Sequence, residues 1–243
     1  MPPTSPNRAA PKDLPAWRKA QRLALIKQRM AVAKETLIAW RQAMDRHIER
    51  GFPGLATQAS SGTPAVLALC WPYRNEYDAR HLAARLRRAG AVTALPVVIA
   101  PRKPLEFRAW RPGMRMAAGP LGIPYPASGG AVTPTLLILP MAGFDDAGFR
   151  LGYGGGYFDR TLAAMPRHPL VIGVAHELAR LPTIYPQSHD IPVDYVVTEA
   201  GIYRRDSDSR GSRLAFLGAP PEPAQPGYAS PVCYANEADP DRR

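Results

Sequence analysis

The sequence predicts a single three-layer α/β domain with a largely parallel sheet, a long N-terminal helix and disordered termini. Three observations point there. Several apolar runs, among them Ala65–Trp71, Thr135–Pro140 and Leu170–Ala175, are continuous rather than alternating, the mark of strands buried on both faces. Segments of helical periodicity fall between them, giving the strand, helix, strand order that builds a parallel sheet through right-handed crossovers. Both ends of the 243-residue chain change composition. Residues 1–13 form a leader rich in Pro, Asn and Ala, residues 14–204 the domain, and residues 205–243 a tail of mixed charge carrying Pro220, Pro221, Pro223 and Pro226, with few apolar anchors.

Taken in order, Leu23, Ile26, Met30, Ala33, Leu37, Trp40, Met44 and Ile48 recur at steps of three and four. One long or broken helix from Leu14 to about Arg50 would lay that stripe on the domain. Gly51, Pro53 and Gly54 stop it, and Thr57–Pro64 reads as a soft linker. The strands are Ala65–Trp71, Val92–Ile99, Glu106–Trp110, Thr135–Pro140, Leu170–Ala175 and Tyr195–Thr198. Helices fall at Ala79–Ala89, with Leu82 and Leu86 on one face and Gly90 as its stop, and at Tyr157–Met165. Gly143-Phe144-Asp145-Asp146 reads as a turn, and no internal repeat is visible. Ligands in open α/β sheets collect beyond the C-terminal ends of strands. The loops after Ala65–Trp71 and Thr135–Pro140 are such ends.

Composition narrows the class. No segment approaches the ~20 apolar residues of a membrane span, and Met1-Pro2-Pro3-Thr4 lacks a signal-peptide core. The expectation is a cytoplasmic monomer with no membrane partner. Cys70 and Cys233 form neither a disulfide framework nor a zinc site. The net charge of +11 raises a nucleic-acid reading. Residues 1–50 carry eleven Lys/Arg against four Asp/Glu, whereas residues 205–243 carry five against six. The surplus sits on the N-terminal helix, where ATP is as good a polyanion as RNA.

Arg150 to Asp159, reading Arg-Leu-Gly-Tyr-Gly-Gly-Gly-Tyr-Phe-Asp, carries the most chemistry. Four glycines give up backbone entropy, so the stretch marks a turn needing positive φ or a close approach to a ligand. A glycine loop opening the helix from Tyr157 presents unpaired N–H groups to an anion. Arg150 offers a fork for phosphate oxygens and Asp159 a hard carboxylate of the kind that holds Mg²⁺. A Walker loop would need Gly-Lys-Ser/Thr, and a dinucleotide fingerprint would need Gly at Tyr157, so neither generic motif fits.

That stretch, preceded by the run Thr135–Pro140 and by Gly143-Phe144-Asp145-Asp146, resembles the signature of the 5-formyltetrahydrofolate cyclo-ligase (5,10-methenyltetrahydrofolate synthetase) family. Further motifs follow in family order from about Arg18 to Glu199. The resemblance implies an ATP site at Arg18, Arg22, Arg150, Leu151, Gly152, Tyr153, Gly154, Gly155, Gly156, Tyr157 and Phe158, with Arg150 and Tyr157 as catalytic residues. Lys19 rivals Arg18 for the first phosphate contact, and a solvated basic helix face is the plain alternative. The loop Trp71-Pro72-Tyr73-Arg74-Asn75-Glu76-Tyr77-Asp78 is similar to the family's folate-binding segment, with Glu76 as the acceptor for pterin donors. Trp71, Phe107 and Trp110 would line the same pocket or else pack the core, and Asp78 either caps the following helix or binds a ligand. Gly119-Pro120-Leu121-Gly122-Ile123 resembles a family loop that commonly ends near an acidic residue, where this chain has Tyr125. In Pro186-Gln187-Ser188-His189-Asp190, the resemblance makes Asp190 the partner of Asp159 at Mg²⁺.

The implied function is an ATP- and Mg²⁺-dependent ligase of folate one-carbon metabolism, converting 5-formyltetrahydrofolate to 5,10-methenyltetrahydrofolate with release of ADP and phosphate. Two alternatives stand beside it. One is a family paralogue acting on another formyl compound or only binding folate or nucleotide, and the other is a basic nucleic-acid-binding protein working through the N-terminal helix.

Overall fold

The computed structural model describes residues 9–56, 63–208 and 211–220. Two helices come first, α1 (Leu14–Met30) and α2 (Lys34–Gly51). Then follow β1 (Val66–Leu69), α3 (Arg80–Arg88), β2 (Val92–Val97), β3 (Glu106–Ala109), β4 (Met116–Ala118), β5 (Pro124–Pro126), β6 (Leu136–Pro140), β7 (Gly143–Asp145) and β8 (Arg150–Leu151). The chain continues through α4 (Tyr157–Ala164), β9 (Leu170–Val174), β10 (Arg180–Leu181), β11 (Tyr195–Thr198), β12 (Gly201–Asp208) and β13 (Gly211–Gly218).

Eight strands form the main sheet in the order β13-β12-β11-β9-β6-β1-β2-β3. The five in the middle, β11, β9, β6, β1 and β2, are parallel. Antiparallel strands finish both sides, β3 on one and the β12–β13 hairpin on the other. Alternate residues of the parallel strands leave by opposite faces. Leu67, Leu69, Ile138, Ile172 and Val197 pack with Met44 and Ile48 of α2 and with Leu82 and Leu86 of α3. Ala68, Leu137, Leu139, Val171 and Val196 pack with Leu162 of α4 and Phe144 of β7. This is the expected three-layer arrangement, and it explains the uninterrupted apolar run of β6: both faces of Leu136–Leu139 are covered. Each fully buried aliphatic side chain there stabilises the fold by about 1.5–3 kcal/mol.

A small sheet, β10-β7-β8, stands beside the C-terminal ends of the parallel strands. Of residues 143–146, expected as a turn, Gly143–Asp145 supply its middle strand, and the turn proper is shifted to 145–148. The shift has a cause. Asp145 is 1 % exposed, and its carboxylate accepts from the N–H groups of Ala147, Phe149 and Ile184, each at 3.0 Å. Burial raises its pKa while those three amides work against the shift. One side chain thereby closes the hairpin and fixes where β8 enters the glycine stretch.

The long N-terminal helix is two helices. A continuous rod over residues 14–51 would run about 57 Å, beyond the roughly 40 Å width of a domain this size. The two halves also serve different surfaces. Leu25 of α1 packs with Leu151 and Ile184 at the small sheet, whereas Met44 and Ile48 of α2 cover the main one. The apolar stripe is corrected accordingly: Leu23 and Met30 are exposed, and the buried face of α1 is Leu25, Ile26 and Arg29. Asp13 caps α1 by accepting from the Ala16 N–H at 2.9 Å.

The tail is also corrected. Residues 205–208 and 211–218 lie in β12 and β13, where Leu214 donates to the Asp146 carbonyl at 2.7 Å and the Phe216 ring lies 4.8 Å from that of Tyr203. An edge hairpin tolerates the charged composition that suggested disorder, because one side of it faces water. Most of the leader, residues 57–62 of the linker and the tail beyond residue 220, including Cys233 and Tyr228, lie outside the described residues. Among the described residues no helix is long and apolar enough to cross a membrane.

Candidate active site

One face of α1 carries Arg18, Arg22 and Arg29, spaced so that all three turn toward the C-terminal ends of the parallel strands. Each reaches a different loop. Arg18 donates to the carbonyls of Ile184 (3.1 Å) and Tyr185 (2.8 Å) and to Asp190 Oδ2 at 2.7 Å. Arg22 donates from Nε to the Gly152 carbonyl of the glycine loop. Arg29 donates from Nε to the Arg74 carbonyl at 2.8 Å and from Nη2 to the Tyr153 hydroxyl at 2.9 Å. Lys19, the rival of Arg18, is exposed. Burial, and after it the neighbouring Arg18, lowers the pKa of Arg22.

The glycine loop runs from β8 into α4. Gly154 (φ +90°) and Gly156 (φ +60°) occupy the left-handed region, and a Cβ on Gly154 would sit 3.4 Å from the Arg22 guanidinium. Gly156 is the N-cap of α4, and no side chain caps the helix, which leaves its first-turn N–H groups without a side-chain acceptor. Arg160 folds back to donate to the Gly155 carbonyl. Arg150 is nearly buried; it donates to the Ile191 carbonyl and to Asp159 Oδ1, the latter at 2.6 Å. Burial lowers its pKa against the opposing pull of Asp159 and Asp190.

Asp159 is paired with Arg150 and Asp190 with Arg18, and both carboxylates act electrostatically on Arg150. Asp159 Oδ1 also accepts from the Ile191 N–H at 3.1 Å. Asp190 Oδ2 accepts from Arg18 and from the Gln187 N–H at 2.8 Å. Burial would raise the Asp190 pKa, but Arg18 and that amide hold it below the usual range. Among the described residues no cluster of three or more His, Cys, Asp or Glu could hold a metal by itself. A pair suits Mg²⁺, which usually takes one or two carboxylates and completes its shell with water and phosphate. The hydrogen bonds fall on one oxygen of each carboxylate, so the donor set fits the ion.

The loop after β1 holds a second cluster, built around a buried carboxylate. Glu76 has a side chain only 3 % exposed. Its Oε1 accepts from the Tyr153 hydroxyl at 2.6 Å and its Oε2 from the Tyr73 N–H at 3.1 Å. Burial raises its pKa; the Tyr153 hydrogen bond and Arg29, 3.7 Å away, act against the rise. Arg74 (φ +49°) and Asn75 (φ +59°) take left-handed backbone without being glycine, a strain of the kind met at functional loops. Trp71 packs edge-on to Trp110 at 5.9 Å, with the Arg80 guanidinium 4.5 Å over its ring. Arg80 is in turn paired with Asp78, which also accepts from the Arg80 N–H at 3.1 Å, so Asp78 serves the start of α3.

The structure brings Arg18, Arg22, Arg150, Asp159 and Asp190 together, and Tyr153 of the same loop touches Glu76. It separates Phe107 from Trp110. They lie in the cores on opposite faces of the sheet, because three residues of strand reverse the facing, so they do not line one wall. Tyr125 packs its ring on Gly119 in the β4–β5 hairpin. Arg29 belongs to the basic segment that begins at Arg18, but its role was not legible because a buried arginine interrupts an apolar stripe. The usable signal was its place in the series 18, 22, 25, 29.

Cations beside an uncapped glycine loop, one strand-end away from a dry carboxylate, are what an enzyme needs to join a polyanionic activator to a hydrogen-bond-donating substrate: an α/β ligase. The chain belongs to the 5-formyltetrahydrofolate cyclo-ligase family, whose profile matches residues 15–199. It is 30 % identical over 159 residues to the Escherichia coli 5-formyltetrahydrofolate cyclo-ligase, covering 61 % of this chain and 87 % of that one. A Mycolicibacterium smegmatis protein of the same name is 31 % identical over 102 residues, 39 % of this chain and 51 % of its own. The NMR structure of Aquifex aeolicus 5,10-methenyltetrahydrofolate synthetase superposes with a TM-score of 0.65 at 25 % identity, covering 79 % and 95 % of the two chains. The Mycoplasma pneumoniae 5,10-methenyltetrahydrofolate synthetase shares the fold, with a TM-score of 0.60 at 18 % identity over 75 % and 98 %.

Proposed function

We propose that this chain uses ATP to cyclise 5-formyltetrahydrofolate to 5,10-methenyltetrahydrofolate, releasing ADP and phosphate. The observation that carries the reading is the convergence of three α1 arginines on the glycine loop, the Asp159/Asp190 pair and the Glu76 loop at the C-terminal ends of the parallel strands. The same convergence weighs against a nucleic-acid surface: these cations turn inward to protein acceptors, whereas charge-density binding needs them presented outward.

A formamide oxygen is a feeble nucleophile and its carbon holds a poor leaving group. In the proposed reaction the formyl oxygen attacks the γ-phosphorus, forming an O–P bond as the bond to ADP breaks. N10 then attacks the formyl carbon, its proton goes to solvent, and phosphate leaves with the former formyl oxygen. The transfer asks for alignment and neutralised charge rather than a protein nucleophile. Arg150, Arg18 and Arg22 neutralise phosphate charge, and the N–H groups from Gly154 to Tyr157 cradle the chain of phosphates. Asp159 and Asp190 would hold Mg²⁺, which supplies further charge neutralisation when bound. Glu76 accepts from the pterin amino and ring N–H groups. The test is the absorbance of methenyltetrahydrofolate formed by the purified protein from 5-formyltetrahydrofolate. The reading expects product only with both ATP and Mg²⁺; formation without ATP, or none with both present, overturns it.

A further inference from the structure

We propose that Arg29 is a positioning residue for this reaction, holding Glu76 as an acceptor and tying the folate-side loop to the nucleotide-side loop so that the two substrates reinforce each other's binding. The inference rests on the reading of the cleft given above. Arg29 acts through other residues of the two sites, Tyr153 and Glu76. Its side chain is 4 % exposed on α1, and its two donor groups face two different loops. Nε holds the Arg74 carbonyl at 2.8 Å, inside the turn where Arg74 and Asn75 take left-handed backbone. Nη2 donates to the Tyr153 hydroxyl at 2.9 Å, and that hydroxyl, its lone pair so engaged, donates its proton to Glu76 Oε1 at 2.6 Å.

The result is a directed chain, Arg29 to Tyr153 to Glu76, in which each hydrogen bond polarises the next. Tyr153 lies between Gly152 and Gly154, so the position of its hydroxyl reports the shape of the glycine loop. Any ligand that orders that loop orders the partner of Glu76, and any ligand that fixes Glu76 orders Tyr153. Such coupling is reciprocal by thermodynamic necessity. The groups facing Glu76 are Arg29 from α1, Tyr153 from the glycine loop, His176 beyond β9 and the Cys70 thiol beyond β1. Arg29 and His176 favour the carboxylate, against the burial that disfavours it. Loss of Arg29 removes one of these, so the proton is taken up at a higher pH and the acceptor is lost.

The experiment is equilibrium binding of 5-formyltetrahydrofolate between pH 5.5 and 8.5, with and without a saturating non-hydrolysable ATP analogue. It compares wild type with Arg29→Gln, Arg29→Lys and Tyr153→Phe. In Arg29→Gln, folate affinity should fall about tenfold or more at pH 6 and recover most of that loss by pH 8.5. Arg29→Lys should keep the wild-type pH profile, since it restores the charge. Tyr153→Phe removes only the bridging hydroxyl and leaves Arg29 in place; it should reduce the mutual enhancement of the two ligands to near one. A loss in Arg29→Gln of the same factor at every pH overturns the proposal, as does an unchanged enhancement in Tyr153→Phe, which is decisive even if Arg29→Gln does not fold. Wild type that binds both ligands without reinforcement also overturns it, while wild type that binds neither overturns the reading of the cleft on which it rests.

Discussion

The two strand-end loops solve opposite problems. The loop after β1 takes a carboxylate out of water and surrounds it with one arginine, a hydroxyl and an amide. The glycine loop after β8 does the reverse, leaving Tyr153, Gly154 and Gly155 exposed and backing them with arginines. A neutral heterocycle that offers N–H donors is discriminated best by a desolvated acceptor, since a wrong partner leaves that acceptor unpaired. A polyphosphate arrives hydrated and highly charged, and is met by many backbone donors and cations at modest cost to any one of them. The comparison says where each loop is fragile: the first at a single side chain, the second at its backbone.

Asp159→Asn should have the largest effect. It removes one carboxylate of the pair and leaves the nearly buried Arg150 without the charge of its 2.6 Å partner. Turnover should drop about 100-fold or more, with thermal stability lowered as well, since a hydrogen bond to a charged group is worth about 1.5–3 kcal/mol. Near-normal turnover at saturating Mg²⁺ would remove Asp159 from the site. Glu76→Gln comes next: folate affinity should weaken about 10- to 100-fold while affinity for an ATP analogue changes little. Equal losses for both ligands would collapse the division between the loops. Gly154→Ala should raise the ATP KM several-fold and spare folate affinity, because φ +90° and the Arg22 guanidinium 3.4 Å away leave a Cβ poorly housed.

The pH dependence sharpens the same contrast. Burial raises the Glu76 pKa, so folate affinity should be full at neutral pH and fall as pH drops, with an onset above the ordinary Glu value of about 4.3. The Asp190 pKa is lowered, so its stabilising contribution is present above the ordinary Asp value of about 3.9 and is lost only as pH falls through its lower folded value. Melting temperature followed through pH 3 and folate affinity followed through pH 6 would separate the two groups. The smallest effect concerns neither loop. Deleting residues 206–243 should lower the melting temperature by several degrees with little change in either affinity, because it removes β13 and its bond to the Asp146 carbonyl.

Strands buried on both faces were legible, because β1, β6 and β9 are apolar without interruption and carry no polar face. The glycine loop was legible for a related reason: Gly154 and Gly156 take backbone that other residues resist. What escaped depends on contacts between distant residues. No local pattern shows that Asp145 closes a hairpin with the Ile184 amide, that Phe107 and Trp110 end in different cores, or that α1 must stop at Met30 to serve a second surface. The β12–β13 hairpin escaped because charge and serine suit an edge strand as well as a disordered tail. Arg29 escaped because sequence patterns rank arginine as surface, and only the fold shows two loops competing for its donors.

The most direct test of the two-loop account follows the formyl oxygen itself. With ¹⁸O in the formyl group of 5-formyltetrahydrofolate, the purified protein, ATP and Mg²⁺ should deliver the label to inorganic phosphate, one labelled oxygen per methenyl product. Label recovered in water, with unlabelled phosphate, would mean that ATP does not activate that oxygen and would contradict the placement of the two substrates face to face between these loops.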